Sequence, residues 1–218
     1  MVSFSNDTDI LKYEPILFGQ LHLPWQILAE GDDGALSGTT FTVSDEDFVD
    51  RQVSQGMVIY LESQDNILDG PYEIVSVDSQ TQLTISVIRT DSDSDAIAPP
   101  EAENISYRIS TFMPQANEVG FQLTEYFGIR PGNPASDLDI DDILDETVLR
   151  QSSVFAVISN VYAMLAGIAN EDNYWKKSLY YRKLYNQARA RARVSIDSGS
   201  DGIVDVTQIG SAGRLLRD

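Results

Sequence analysis

The chain has 218 residues, with 34 Asp and Glu against 15 Lys and Arg, and a formal charge of −19. With no Cys and a single His, His22, a disulfide framework, Cys-ligated zinc, a thiol nucleophile and a two-His metal site are all excluded. A charge this negative argues against a nucleic-acid binder that works by neutralising phosphates. The 42% hydrophobic and 9% aromatic content can fill one large domain or two small ones.

The opening MVSFSNDTDI has neither a basic stretch nor an apolar run, unlike a signal peptide. Thr8 to Phe18 predicts a short helix, capped by Asp9 and limited by Pro15. LHLPWQILAEG follows as an apolar loop or short strand, and GDDG at 31–34 signals a turn. From about Leu36 to Phe112, Thr, Ser, Val, Ile and Tyr dominate. Five strands are expected, at 39–43, 56–62, 72–77, 83–89 and 106–111, with tight connections between them. That pattern suits a small antiparallel barrel of the SH3-like or OB-like kind. The stretch 90–104 has no apolar period and holds five acids and two prolines, so it predicts an exposed, mobile loop.

After Pro114 the period becomes helical. FQLTEYF at 121–127 predicts two turns ended by Gly128, and RPGNPAS breaks the chain. Ser136 or Asp137 then caps a long helix. The acids Asp137, Asp139, Asp141, Asp142, Asp145 and Glu146 crowd its first turns, where they suit the helix dipole better than a site. That helix continues to Ala169. A second starts near Glu171 or Asp172 and runs to about Val194. Gln151–Asn170 carries no charge, yet its Gln, Ser and Asn residues suit a helix buried on most sides better than a membrane span. On the last helix, Tyr174, Tyr181, Leu184, Tyr185, Ala188 and Ala192 share one face, edged by Arg182, Arg189 and Arg193. Tyr and Arg together suit a protein interface; a core helix with a solvated basic edge is the plainer alternative.

Asp197, Gly199, Asp201, Gly202 and Asp205 partly match a calcium loop. Gly199 stands at a ligand position and Gln208 where a bidentate Glu is needed, so an Asp/Gly turn is expected and no metal. The tail carries Ile203, Val204, Val206, Ile209, Leu215 and Leu216. Apolar residues in an extended segment suit docking onto another surface. Charge divides along the chain. Residues 1–149 hold 28 acids and 5 bases, and residues 150–218 hold 6 acids and 10 bases, so the net charges are −23 and +4.

The C-terminal half, about residues 121–218, resembles the head–tail adaptor (connector) proteins of tailed bacteriophages. The shared pattern is a Trp/Tyr–basic helix, here YWKKSLYYRKLYNQARARAR, then an acidic turn, here IDSGSDGIVD, then an arm with a terminal Arg, here GRLLRD. DILKYEP and GALSGTTFT look like the start of an adaptor with an inserted β domain. The resemblance implies an α+β fold with a helical core from 1–33 and 113–196. A β-barrel is inserted at 34–112, and an extended docking arm spans 197–218. It implies a non-enzymatic ring in the virion neck, at the head–tail interface, made in the host cytoplasm. Such rings usually have twelve copies, sit under the portal protein, meet a next neck or tail component and let genomic DNA pass without specific binding. No membrane and no cofactor are implied. Carried over by position, Asp197, Asp201, Ile203, Val206, Ile209, Arg214, Leu215, Leu216 and Arg217 would dock on the portal. Trp175, Tyr181, Arg182, Tyr185, Arg189 and Arg193 would form the subunit interface.

Two other classes compete. Paired carboxylates such as Asp45/Glu46/Asp47 or Asp141/Asp142 could serve a hydrolase, but no nucleophile elbow, phosphate loop or His-based site accompanies them. An oligomeric binding module could use Tyr60, Tyr72 and Tyr107 on the barrel to recognise a sugar or peptide. Tyrosines exposed together on one barrel face would favour it.

Overall fold

The computed structural model describes residues 2–129, 138–169, 171–199 and 201–210. The chain is α+β and divides into two compact units, one of residues 6–112 and one of residues 1–5 with 113–218. The stretch from Asn6 to Asp33, expected with the helical core, therefore belongs to the barrel unit.

The barrel unit begins with α1 (Asp7–Leu11), capped by the Asn6 side chain, with Asp9 returning a bond to the Asn6 amide. Asp9 is thus the third residue of a capping box and not the cap. Pro15 opens a separate 3-10 turn, Pro15–Leu17, so the expected single helix is two short pieces. Six strands follow: β1 (Ile27–Ser37), β2 (Thr40–Thr42), β3 (Val58–Ser63), β4 (Asp69–Ser79), β5 (Gln82–Ser86) and β6 (Ala102–Ser110). They close an antiparallel barrel in the order β1-β2-β5-β4-β3-β6.

The sixth strand, β1, starts in the segment read as an apolar loop or short strand and runs on through the GDDG expected to turn. Its register against β6 shifts between Gly31 and Gly34 and again before Leu36. Such bulges bend a strand without ending it, which is what closing a small barrel requires. The glycines are needed for space. A Cβ on Gly31 would lie 2.8 Å from the Tyr107 ring, and one on Gly34 would lie 2.7 Å from the Phe41 ring. Those rings, with Phe48, form an aromatic cluster among buried Leu36, Leu61, Leu83 and Ile105.

The acidic loop after β5 has an anchor. Buried Arg89 pairs with Glu73 at 2.7 Å and donates to the carbonyls of Ser92 and Ser94 at 2.9 and 2.6 Å. Asp91 in turn accepts from the Ser94 amide and hydroxyl. The loop remains exposed at its acids, but its first turn is tied to the barrel.

The second unit contains α2 (Met113–Tyr126), α3 (Thr147–Ala169) and α4 (Asp172–Arg191), then a hairpin of β7 (Arg193–Ile196) and β8 (Val206–Ile209). Gly128, at φ +78°, follows the end of α2 as expected. The RPGNPAS break and the caps expected at Ser136 or Asp137 lie outside the described residues. The long helix starts later than expected, at Thr147, where Asp145 accepts from the Thr147 amide and hydroxyl. The residues just upstream do not extend this helix, because they run beside β7. Ile143 bridges Ile196, the Leu144 amide donates to the Ser195 carbonyl, and the Asp197 amide donates to the Asp142 carbonyl. Asp139 and Asp142 cap a 3-10 turn, Ile140–Asp142.

By length and composition α3 could cross a bilayer, with a mean hydropathy of 1.6 over its best window. Within this unit two of its buried serines find partners, Ser153 meeting Ser5 at 2.7 Å and Ser159 donating to the Ser178 carbonyl at 3.0 Å, while the buried Ser152 hydroxyl has none. Twelve of its residues, between Leu149 and Leu165, are buried within this unit.

Candidate functional site

The helix carrying the Tyr–Arg pattern has two unlike faces. Its inner face packs on α3, where Tyr181 is buried and stacks near Tyr162, with ring centroids 6.3 Å apart, and lies 6.0 Å from Phe155. Lys177 lies over the Tyr162 ring at 4.8 Å and donates to its hydroxyl at 2.9 Å. The shared face predicted for Tyr174, Tyr181, Leu184, Tyr185, Ala188 and Ala192 is this inner one. None of these six residues is exposed.

Several expected interface residues are therefore used within the chain. Tyr181 is interior. Arg189 lies between two rings, 4.0 Å from the Tyr126 centroid on α2 and 4.8 Å from that of Tyr185, and donates to the Tyr185 hydroxyl at 3.2 Å. Its Nε is buried without a hydrogen-bond partner, so the ring contacts hold the cation in place. Arg189 and Tyr185 thus tie α4 to α2. Arg193 is on β7, opposite Ile209, and not on the helix.

The outer face of α4 differs. Trp175 and Tyr180 are 49% and 58% exposed, and Leu179 lies between them. Lys176, Arg182 and Lys183 are exposed around them. None of these three cations has an ion-pair partner among the described residues. Of the expected interface residues, Trp175 and Arg182 are the ones this face presents outward.

The described part of the expected docking arm, 197–199 and 201–210, is folded. Expected to be extended, it turns back so that β8 pairs with β7, from Ile196 opposite Val206 to Arg193 opposite Ile209. The Gly210 amide donates to the Ala192 carbonyl, and the Gly210 carbonyl accepts from the Tyr126 hydroxyl. Asp197 is buried and organises the turn by accepting from the amides of Gly199, Asp201 and Gly202. Asp205 accepts from the Ser198 hydroxyl and from the Ser198 and Gly199 amides, and these bonds hold its pKa below the usual carboxylate value. Asp201 caps the Ile203 amide. The Asp/Gly segment is thus a backbone-capping turn, and among the described residues no group of three His, Cys, Asp or Glu could hold a metal ion. Ile203, Val206 and Ile209 are exposed on the hairpin, together with Val204. Arg214, Leu215, Leu216 and Arg217 lie outside the described residues.

A second surface, absent from the sequence reading, lies on the barrel. Cross-strand register sets Glu30, Arg108 and Tyr60 in one row across β1, β6 and β3. They border a depression of about 410 Å³ that also touches Asp32, Glu62 and Ser106. Arg108 forms no ion pair with the rim acids among the described residues. Its guanidinium donates to the carbonyls of Phe18 and Gly19 and lies 5.2 Å from the Tyr60 ring centroid. Burial, followed by the bond to Asp69, pushes the Tyr60 phenol up to about 12. The sequence signal for this site was a set of outward positions on three strands. Only the registers bring them together.

The three tyrosines of the binding-module alternative do not share a face. Tyr107 points into the barrel against Phe41 and Phe48, Tyr60 points outward, and Tyr72 is half-buried opposite Ile59. Of the carboxylates considered for catalysis, Asp47 accepts from the Val49 and Asp50 amides, Asp142 accepts from the Asp139 amide, and Glu46 pairs with Arg51. Comparison with protein-family models, curated proteins and solved structures finds no match.

Proposed function

We propose that the chain is a non-enzymatic structural subunit of a tailed-phage neck, repeated as a ring beneath the portal protein, joining head to tail around the DNA channel. The observation that carries this reading is the outer face of α4, where Trp175, Leu179 and Tyr180 are exposed among cations that have no ion-pair partner among the described residues. Large exposed apolar side chains and unpaired cations on one helix suit protein contact better than solvation. A ring repeats one heterologous contact, so every copy needs two unlike surfaces. The basic α4 and the acid-rich barrel are such a pair. The β7–β8 hairpin supplies a further exposed apolar edge, through Ile203, Val204, Val206 and Ile209, for the portal. The net charge of −23 over residues 1–149 suits a conduit that surrounds DNA without gripping it.

The test is omission and add-back during particle assembly. Without the chain, filled heads and finished tails accumulate separately, and adding purified protein joins them. Normally joined particles formed without the chain overturn the proposal.

A further inference from the structure

We infer that the outer face of α4 docks onto the barrel of a second copy of this chain, with Trp175 entering the depression bordered by β1, β3 and β6. The inference rests on the self-assembling reading above and names its contact.

The two surfaces match in chemistry and in what each lacks. The depression is rimmed by Glu30, Asp32 and Glu62, all exposed and none with an ion-pair partner among the described residues. Lys176, Arg182 and Lys183 on α4 have the same deficit with the opposite sign. Between the acids lie Tyr60 and Arg108, a ring and a guanidinium against which an indole can pack while its N–H reaches a rim carboxylate. A volume of about 410 Å³ admits one large aromatic side chain. Trp175, Leu179 and Arg182 follow one another at helical spacing, so they form a single ridge. An aromatic anchor ringed by cations is the partner an acid-rimmed aromatic depression selects.

Charge complementarity favours a second copy as the occupant. Each chain carries one surface of each kind, in equal number, and the net charges of −23 and +4 fall on separate parts of the sequence. Because the two surfaces are unlike, the contact is head-to-tail, and repetition gives a ring or a filament.

The chain has no Cys, which makes the contact directly readable. Full-length Glu62→Cys is mixed with differently tagged full-length Lys176→Cys under mild oxidation, with Glu62→Cys plus Val49→Cys as the control pair. The expected result is a mixed disulfide formed at least about tenfold faster than in the control, and lost when Trp175→Ala is added. In the uncross-linked chain, Glu62→Lys and Lys176→Glu each weaken self-association about tenfold, and mixing the two variants restores it. A chain that sediments as an oligomer while the Glu62/Lys176 pair does no better than the control overturns this contact and leaves the ring reading standing. A chain that stays monomeric and forms no cross-link also overturns the contact. The neck reading is then decided separately, by the omission experiment. Capture by another protein with no copy-to-copy cross-link overturns the second copy as occupant.

Discussion

Replacing Asp7 with Asn should make the barrel unit more stable at neutral and alkaline pH. Asp7 lies in the first turn of α1, fully buried, with Oδ1 accepting from the Phe112 amide at 2.8 Å and Oδ2 without a partner. Burial is the largest influence on its carboxyl; the Phe112 and Thr111 bonds oppose it, and the pKa rises from 3.8 to about 7. The folded chain therefore holds a proton that the unfolded chain has released between those values. In that window stability falls as pH rises, by about 1.4 kcal/mol per pH unit, and above about pH 7 the loss is complete at about 4 kcal/mol. Below pH 3.8 both states are protonated and the penalty disappears. Asn keeps an acceptor for the Phe112 amide and does not ionise. Urea unfolding of wild type and Asp7→Asn would be followed by Trp25 fluorescence in a Trp175→Phe background, so that the barrel unit alone is read. The stability difference in favour of Asn should grow between about pH 5 and pH 7 and level off by about pH 8. A difference independent of pH across that range would refute the reasoning.

Glu73→Ala leaves Arg89 charged, buried and unpaired, and should cost about 3–5 kcal/mol in denaturant unfolding. Replacing both residues with Met should cost much less, because no lone buried charge remains. Gly31→Ala brings a Cβ within 2.8 Å of the Tyr107 ring and should cost about 1–3 kcal/mol, read as a lower urea midpoint. Arg189→Ala removes the cation between Tyr126 and Tyr185 and should lower stability by about 1–2 kcal/mol in the chain alone. Arg189→Glu should cost more, and an unchanged melting temperature for either variant would show that the stacked geometry contributes nothing.

The sequence made legible what depends on local period. The five expected strands each overlap an observed one, and a helix pair does turn at Ala169, although its first helix begins at Thr147 and not near Ser136 or Asp137. The inner face of α4 followed from 100° spacing alone. What escaped notice depends on partners distant in sequence. GDDG has turn composition, yet β1 passes through it because Tyr107 and Phe41 need the space where its Cβ atoms would be. The acids before α3 have helix-start composition, yet β7 draws Ile143 and Leu144 into its own ladder. Arg189 and Tyr185 look like interface residues in the sequence, and only the position of Tyr126 on α2 shows them engaged internally. The acid-rimmed depression needs three strands in register before it exists.

The most direct test of the central claim is to locate the chain in an assembled particle by electron cryomicroscopy of the head–tail junction. The expected result is a closed ring of this chain between portal and tail around the DNA path. Density for the chain on the capsid face or the tail fibres, or its absence from the finished particle, would contradict it.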